Sequence, residues 1–150
     1  MMKVLKWLSV ADRFTKMHLD NQLAPLGINS SQYMYILKIC RNPGILQDSL
    51  IECFYVHPSN IVRTVSALEK KGFITRVSYD KDKRTWQLYP TQKALSIAEQ
   101  IRSICKETEA VLMDGLSESE QAAFHHMLFH VGKQIATQLD TERVEDEFDE

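Results

Sequence analysis

The sequence predicts a mainly α-helical fold with one small β-hairpin. Apolar residues recur with the 3.6-residue period of an amphipathic helix along most of the chain, whereas residues 73–79 and 84–89 alternate and are rich in β-branched and aromatic residues. The chain has 150 residues, of which 44% are hydrophobic and 25% are charged. This size suits one domain with its own core, so we expect residues 1–150 to fold as a single domain.

Two helices are predicted in the first part of the chain. The first covers about residues 2–22 and ends before Pro25. The second begins at Asn29, whose side chain can cap the helix while Gln32, three residues later, reaches back to it. The predicted inner face of the second helix consists of Tyr33, Ile36, Leu37 and Cys40.

A helix-turn-helix pattern follows. A short helix is predicted from about Leu46 to Phe54, and a turn leads to a fourth helix that runs from Pro58 to about Lys71. Pro58 suits the first helical position because its missing N–H would have no helical partner there. Gly72 suits the position after the last turn, where the left-handed backbone is common.

The predicted hairpin has a charged tip at residues 80–83. Thr91 can cap a long helix that ends near Met113, and Ser117 with Glu120 forms a capping box that opens the last helix. This order of elements indicates a winged helix-turn-helix at residues 29–90. It is flanked by dimerisation helices at residues 1–24 and 91–139 and followed by an acidic tail at residues 140–150.

The fourth helix has a polar face that suits DNA. The residues expected to face inward are Ile61, Val62, Val65 and Leu68. The opposite face carries Ser59, Asn60, Arg63, Ser66, Ala67 and Lys70. A slim, polar helix can enter the major groove, which is ~12 Å wide, and there Arg63 can donate to guanine and Asn60 can pair with adenine. Ser59 can bind a phosphate. An ordinary amphipathic helix with a solvated face is the alternative.

The hairpin tip adds basic side chains beside this helix. An arginine at such a tip can enter the narrow minor groove, and Asp82 can orient Arg84 by a charge-assisted hydrogen bond. A charged turn that only aids solubility is the alternative. The predicted partner is double-stranded DNA, and the predicted DNA-binding residues are Ser59, Asn60, Arg63, Ser66, Lys70, Lys81, Asp82, Lys83 and Arg84.

Residues 59–74, followed by Asp82-Lys-Arg84 and Thr91, resemble the MarR family of bacterial regulators. The resemblance implies a homodimer that places two recognition helices on a pseudo-palindrome, and an effector site between the dimer region and the winged unit. Candidate effector-binding residues are His18, within the apolar arc of the first helix, and Tyr33. Two residues at the joint between wing and helix depart from the family pattern: they are Pro90 and Ala94.

Apolar stripes on the terminal helices independently favour a dimer, because each stripe needs cover. The predicted interface residues are Val4, Trp7, Leu8, Phe14, Phe124, Val131, Ile135 and Leu139. The sequence therefore predicts a sequence-specific DNA-binding transcription regulator, acting as a homodimer and as a ligand-responsive repressor. A winged-helix module for protein–protein contact is the alternative.

The net charge of −2 argues weakly against a nucleic-acid partner, but the charge is uneven. Residues 140–150 carry seven acidic side chains and one basic, and the rest of the chain carries 17 basic and 13 acidic, a net charge of +4. We interpret the tail as a solvated chain end. A DNA-mimicking strip that competes for the basic face is the alternative.

Other function classes receive little support. Cys40, Cys53 and Cys105 are widely spaced, which favours reduced thiols in a cytosol over disulfides. His126 and His130 are spaced as metal ligands can be, but no third ligand lies near them in the sequence, so we expect no metal and no cofactor. We find no signal peptide, membrane span, phosphate-binding loop or nucleophile–base arrangement. We therefore expect a cytoplasmic protein that is not an enzyme.

Overall fold

The computed structural model describes residues 3–139 and confirms a mainly helical fold with a small antiparallel sheet. The predicted acidic tail, residues 140–150, lies outside the described residues. The elements are α1 (Lys3–Leu23), a 3-10 turn (Ala24–Leu26), α2 (Tyr33–Arg41), β1 (Ile45–Leu46), α3 (Ser49–Phe54), α4 (Pro58–Lys70), β2 (Ile74–Ser78), β3 (Trp86–Pro90), α5 (Gln92–Leu112) and α6 (Glu118–Leu139).

The sheet contains a strand that the sequence did not predict. Its strand order is β1-β3-β2, and β2 and β3 form the expected hairpin. We predicted a helix from about Leu46, but this residue belongs to β1, which pairs with β3. The amide of Gly44 donates to the Leu88 carbonyl at 2.8 Å, and that of Gln47 donates to Trp86 at 2.8 Å. Because these backbone groups bond to β3, the helix begins only at Ser49.

The core lies where α2, α3, α4 and the sheet meet the end of α1 and the first half of α5. Its fully buried large side chains are Leu23, Ile36, Ile39, Leu50, Ile61, Val65, Leu68, Phe73, Ile74, Leu88 and Ile101. On α2 the predicted inner face is only partly correct, because Tyr33, Leu37 and Cys40 are half-buried. Since α2 packs against both α5 and β3, the buried part of its surface is wider than a single stripe of apolar side chains.

The start of α2 also differs from the prediction. The Asn29 side chain accepts hydrogen bonds from the backbone and hydroxyl of Ser31 at 2.9 and 2.7 Å, which forms a turn before the helix. Gln32 does not reach back to Asn29, because its side-chain oxygen accepts from the ammonium of Lys71 at 3.0 Å. The helix therefore begins at Tyr33 without a side-chain cap.

The other predicted caps are present. The Thr91 hydroxyl accepts from the backbone of Ala94 at 3.4 Å. Ser117 and Glu120 exchange reciprocal hydrogen bonds of 2.8 and 3.3 Å at the start of α6. The joint between the wing and α5 accommodates the two residues that depart from the family pattern. Pro90 pairs with Ile74 at the end of the hairpin, and Ala94 is fully buried.

The terminal helices are only lightly packed within one chain. The buried residues of α1 are Leu19 and Leu23, which lie near its C-terminal end. All residues of α6 are described, and none of them is buried. Large apolar side chains are exposed on both, including all eight predicted interface residues. Across residues 3–139, no helix is long and apolar enough to cross a membrane.

Candidate nucleic-acid interface

Two residues shape the N-terminus of α4. Pro58 occupies the first turn as predicted, and His57, which was not predicted as a cap, is the N-cap. Its Nδ1 accepts a hydrogen bond from the Ser59 backbone at 3.1 Å and lies 2.7 Å from the Ser59 hydroxyl. This cap fixes the direction in which α4 leaves the turn and holds Ser59 at the exposed end of the helix.

The exposed face of α4 matches the predicted polar face in part. Ser59, Asn60, Arg63 and Lys70 are exposed, whereas Ser66 and Ala67 are half-buried. Val62 was expected to face inward, and this was wrong, since it is 52% exposed. At 100° per residue it lies about 90° from the middle of the buried stripe, beyond the edge of the core.

The wing tip holds one arginine in a fixed geometry. The guanidinium of Arg84 donates to both carboxylate oxygens of Asp82, at 3.0 and 3.2 Å, and its backbone amide donates to the same side chain at 3.1 Å. These bonds lower the pKa of Asp82, which stays ionised at neutral pH. The Arg84 side chain is nevertheless 91% exposed, so it is oriented yet free to contact another molecule with its remaining N–H donors.

A second ion pair joins the wing to α4. Arg76 on β2 donates to both carboxylate oxygens of Glu69 on α4, at 3.1 and 2.9 Å. The guanidinium also lies 5.1 Å from the ring centre of Trp86 on β3. This cluster could not be predicted from the sequence, because no local pattern shows that residues on both sides of Gly72 fold back onto each other.

Two lysines tie the C-terminal end of α4 to the long helices. The ammonium of Lys71 donates to the Gly27 carbonyl at 2.9 Å and to Gln32, in the segment that links α1 to α2. The ammonium of Lys93 on α5 donates to the Lys71 carbonyl at 2.7 Å and lies 4.4 Å from the ring centre of Phe73. The position of α4 is therefore coupled to the α1–α2 segment and to α5.

The comparison with known proteins agrees with this architecture. Residues 28–86, the winged helix-turn-helix, match the sequence profile of the MarR family. A crystal structure of MarR superposes on the chain with a TM-score of 0.74 at 28% identity, over 89% of this chain and 90% of MarR. The chain is thus similar to the MarR family over its winged helix-turn-helix, and it shares the fold of MarR.

Two other relatives extend the comparison. YybA of Bacillus subtilis (strain 168), described as an uncharacterized HTH-type transcriptional regulator, is 29% identical over 110 residues, which are 73% of each chain. MepR of S. aureus, solved as a complex with DNA, shares the fold with a TM-score of 0.79 at 21% identity, over 86% of this chain and 96% of MepR. The MarR family and YybA are transcription regulators rather than enzymes.

The two candidate effector residues lie on different helices, one in α1 and the other at the start of α2. His18 and Tyr33 are both half-buried. Burial, and then the nearby Cys105 and Glu109, raise the pKa of the Tyr33 hydroxyl. An open groove of about 470 Å³ lies at the junction of α5 and α6, and Glu109 is among its lining residues, whereas His18 and Tyr33 are not. Their role stays a prediction.

The three thiols of the chain are free and half-buried. Burial raises the pKa of Cys40 and of Cys105, which keeps both in the less reactive protonated form at neutral pH. Within residues 3–139, no group of three or more histidine, cysteine or acidic side chains is placed to hold a metal ion.

Proposed function

We propose that this protein is a member of the MarR family and a sequence-specific, double-stranded-DNA-binding transcription regulator that acts as a homodimer. One observation carries the proposal. The exposed face of α4 and the oriented Arg84 of the wing belong to one unit, because the Glu69–Arg76 pair ties the helix to the hairpin. The DNA complex of MepR, a protein with the same fold, supports this assignment.

The exposed side chains fit the two grooves of DNA. Arg63 lies almost opposite the buried stripe of α4, where it can donate to guanine O6 and N7, and Asn60 can pair with adenine. Arg84 fits the narrow minor groove, where the negative potential is enhanced. Lys70, Lys81 and Lys83 are exposed and can bind phosphates, which position the protein without reading sequence.

The terminal helices support a homodimer. On α6, Phe124, Val131 and Ile135 are 40%, 44% and 58% exposed, and on α1, Trp7 is 61% exposed. Monomeric proteins rarely leave such continuous apolar stripes in water. A two-fold pairing of these helices covers the stripes and places two copies of α4 on half-sites about 34–36 Å apart. Such a spacing suits a pseudo-palindromic operator.

The ties between α4 and the long helices support regulation by a ligand. Because Lys71 and Lys93 connect α4 to the α1–α2 segment and to α5, a small molecule that moves the long helices also moves the recognition helices. Coupling of this kind is typically worth about 1–3 kcal/mol. A dimer that occupies its operator excludes other proteins from that DNA, and we therefore propose repression as the sign of regulation.

Selection of duplexes from a random pool tests DNA recognition directly. We expect a pseudo-palindromic consensus, and Arg63→Ala should cost about 1–3 kcal/mol of binding free energy while relaxing specificity at one base pair. Sedimentation of the wild type and of Ile135→Glu tests the dimer, because a buried charge should shift the variant toward monomer. Failure to bind any duplex at low salt would refute the DNA assignment and favour a protein–protein role.

A further inference from the structure

Val62 is the one apolar side chain that α4 exposes, in a helix whose residues are all described. It is 52% exposed, and its exposed companions on the helix are Ser59, Asn60, Arg63 and Lys70. It shares a strip of the helix surface with Glu69, seven residues later, which binds Arg76 on the wing. Val62 therefore lies on the flank of the proposed reading face that is directed toward the hairpin.

Neither packing nor helix formation accounts for a valine at this position. The core of this region is filled by Ile61, Val65 and Leu68, each no more than 1% exposed. A β-branched residue also lowers helix propensity slightly relative to alanine or a long polar side chain. Val62 thus costs some helix propensity while about half of its surface stays exposed to water.

We propose that Val62 is a specificity-determining residue that contacts the C5-methyl group of a thymine in the major groove. This inference rests on the proposed DNA-binding function. The thymine methyl is the apolar group that base edges present in that groove, and an apolar side chain on a groove-reading helix is its natural partner. The uncharged, compact valine lets the helix approach closely while Arg63, the next residue, reaches a neighbouring base pair.

The expected size of the contact follows from the area that it buries. Removing one methyl group from water is worth about a fourfold change in affinity, so a contact repeated in two half-sites contributes roughly fifteenfold. Replacing thymine by deoxyuridine deletes only this methyl and leaves the hydrogen-bonding groups unchanged. The substitution therefore isolates the contact that we propose.

The experiment begins with a duplex selected by the wild-type protein from a random pool. Each thymine is then replaced by deoxyuridine, symmetrically in both half-sites, and dissociation constants are measured by fluorescence anisotropy. At one position we expect deoxyuridine to weaken wild-type binding roughly fifteenfold. Val62→Ala should bind the two duplexes with equal affinity, and Val62→Thr, which keeps one γ-methyl, should retain most of the discrimination.

A matched control is available on the wing. Val77 on β2 is 47% exposed, a fraction similar to that of Val62. Val77→Ala therefore removes the same atoms from another surface element and should leave the discrimination between thymine and deoxyuridine intact. The proposal is overturned if the selected duplexes contain no required thymine, or if Val62→Ala and the wild type lose the same affinity at every deoxyuridine position. A failure to select any duplex would instead refute the proposed function itself.

Discussion

The ion pair between Glu69 and Arg76 makes a measurable prediction about how the wing is anchored. The pair is bidentate, with distances of 3.1 and 2.9 Å, and its side chains are 38% and 27% exposed. Exposed pairs contribute about 0.2–1 kcal/mol, and a bidentate geometry favours the upper end. The contact of Arg76 with Trp86 adds about 0.5–1 kcal/mol. Arg76→Ala should therefore lower the free energy of unfolding by about 1.5–2 kcal/mol.

A double-mutant cycle separates the ion pair from the ring contact. Glu69→Ala, Arg76→Ala and the double variant should give a coupling energy of about 1 kcal/mol. The variant Arg76→Lys keeps the charge but loses the bidentate geometry, so it should recover only part of the loss. Urea unfolding at one fixed protein concentration is the measurement, since the stability of a dimer depends on concentration.

The pH dependence gives a second, independent check of the same pair. The hydrogen bonds from Arg76 lower the pKa of Glu69, so its carboxylate stabilises the fold above the unfolded pKa, about 4.3. This contribution is lost as the pH falls through the lower folded-state value. The stability gap between the wild type and Glu69→Gln should thus be full at neutral pH and shrink below about pH 4. A gap that is absent at pH 7, or a coupling energy indistinguishable from zero, would refute the assignment.

Three further predictions concern the wing tip, the core and the thiols. Arg84→Ala should weaken binding to many DNA sequences and lower the slope of log affinity against log salt concentration by about one. Arg84→Lys should keep this slope, and an unchanged slope for Arg84→Ala would contradict the wing assignment. Phe73→Ala, at a residue 1% exposed, should cost about 3–5 kcal/mol in urea unfolding, and a loss below about 1 kcal/mol would mean that the site is less well packed than described. Because burial raises the pKa of Cys40 and Cys105, iodoacetamide should modify both far more slowly in the folded protein than in urea. Equal rates would show that the fold neither shields these thiols nor raises their pKa.

Local chemistry determined most of what the sequence predicted correctly. The bounds of α4 followed from Pro58 at its start and Gly72 after its end, where the backbone is left-handed with φ of 80°. The capping box of Ser117 and Glu120 formed as expected, because each partner lies within one turn of the other. Such features need no knowledge of the rest of the fold.

The errors arose where a distant partner competed with a local one. Gln32 was expected to cap its own helix, but Lys71, 39 residues later, binds its side chain. Leu46 was assigned to a helix because β3 lies far along the chain, and only the fold brings Gln87 opposite it. The sequence shows which hydrogen bonds a residue can make, but it does not show which of two possible partners the residue binds in the fold.

Val62 illustrates a different limit, which concerns the width of a buried face. Periodicity placed it with Ile61, Val65 and Leu68, although it lies about 90° from the middle of that stripe. Whether such a flanking residue is buried depends on what packs beside the helix. The wing lies on this side, yet it meets α4 at Glu69, two turns further on, so Val62 stays exposed.

The anchors of α4 also limit how the protein can respond to a ligand. The helix is capped by His57 at one end, bound to the wing through Glu69, and tied through Lys71 to the α1–α2 segment and to α5. A helix fixed at both ends is more easily displaced with its supports than bent within them. In the proposed dimer, a ligand would therefore act most directly on the angle between the long helices of the two protomers, and each winged unit would move as one body with its half-site.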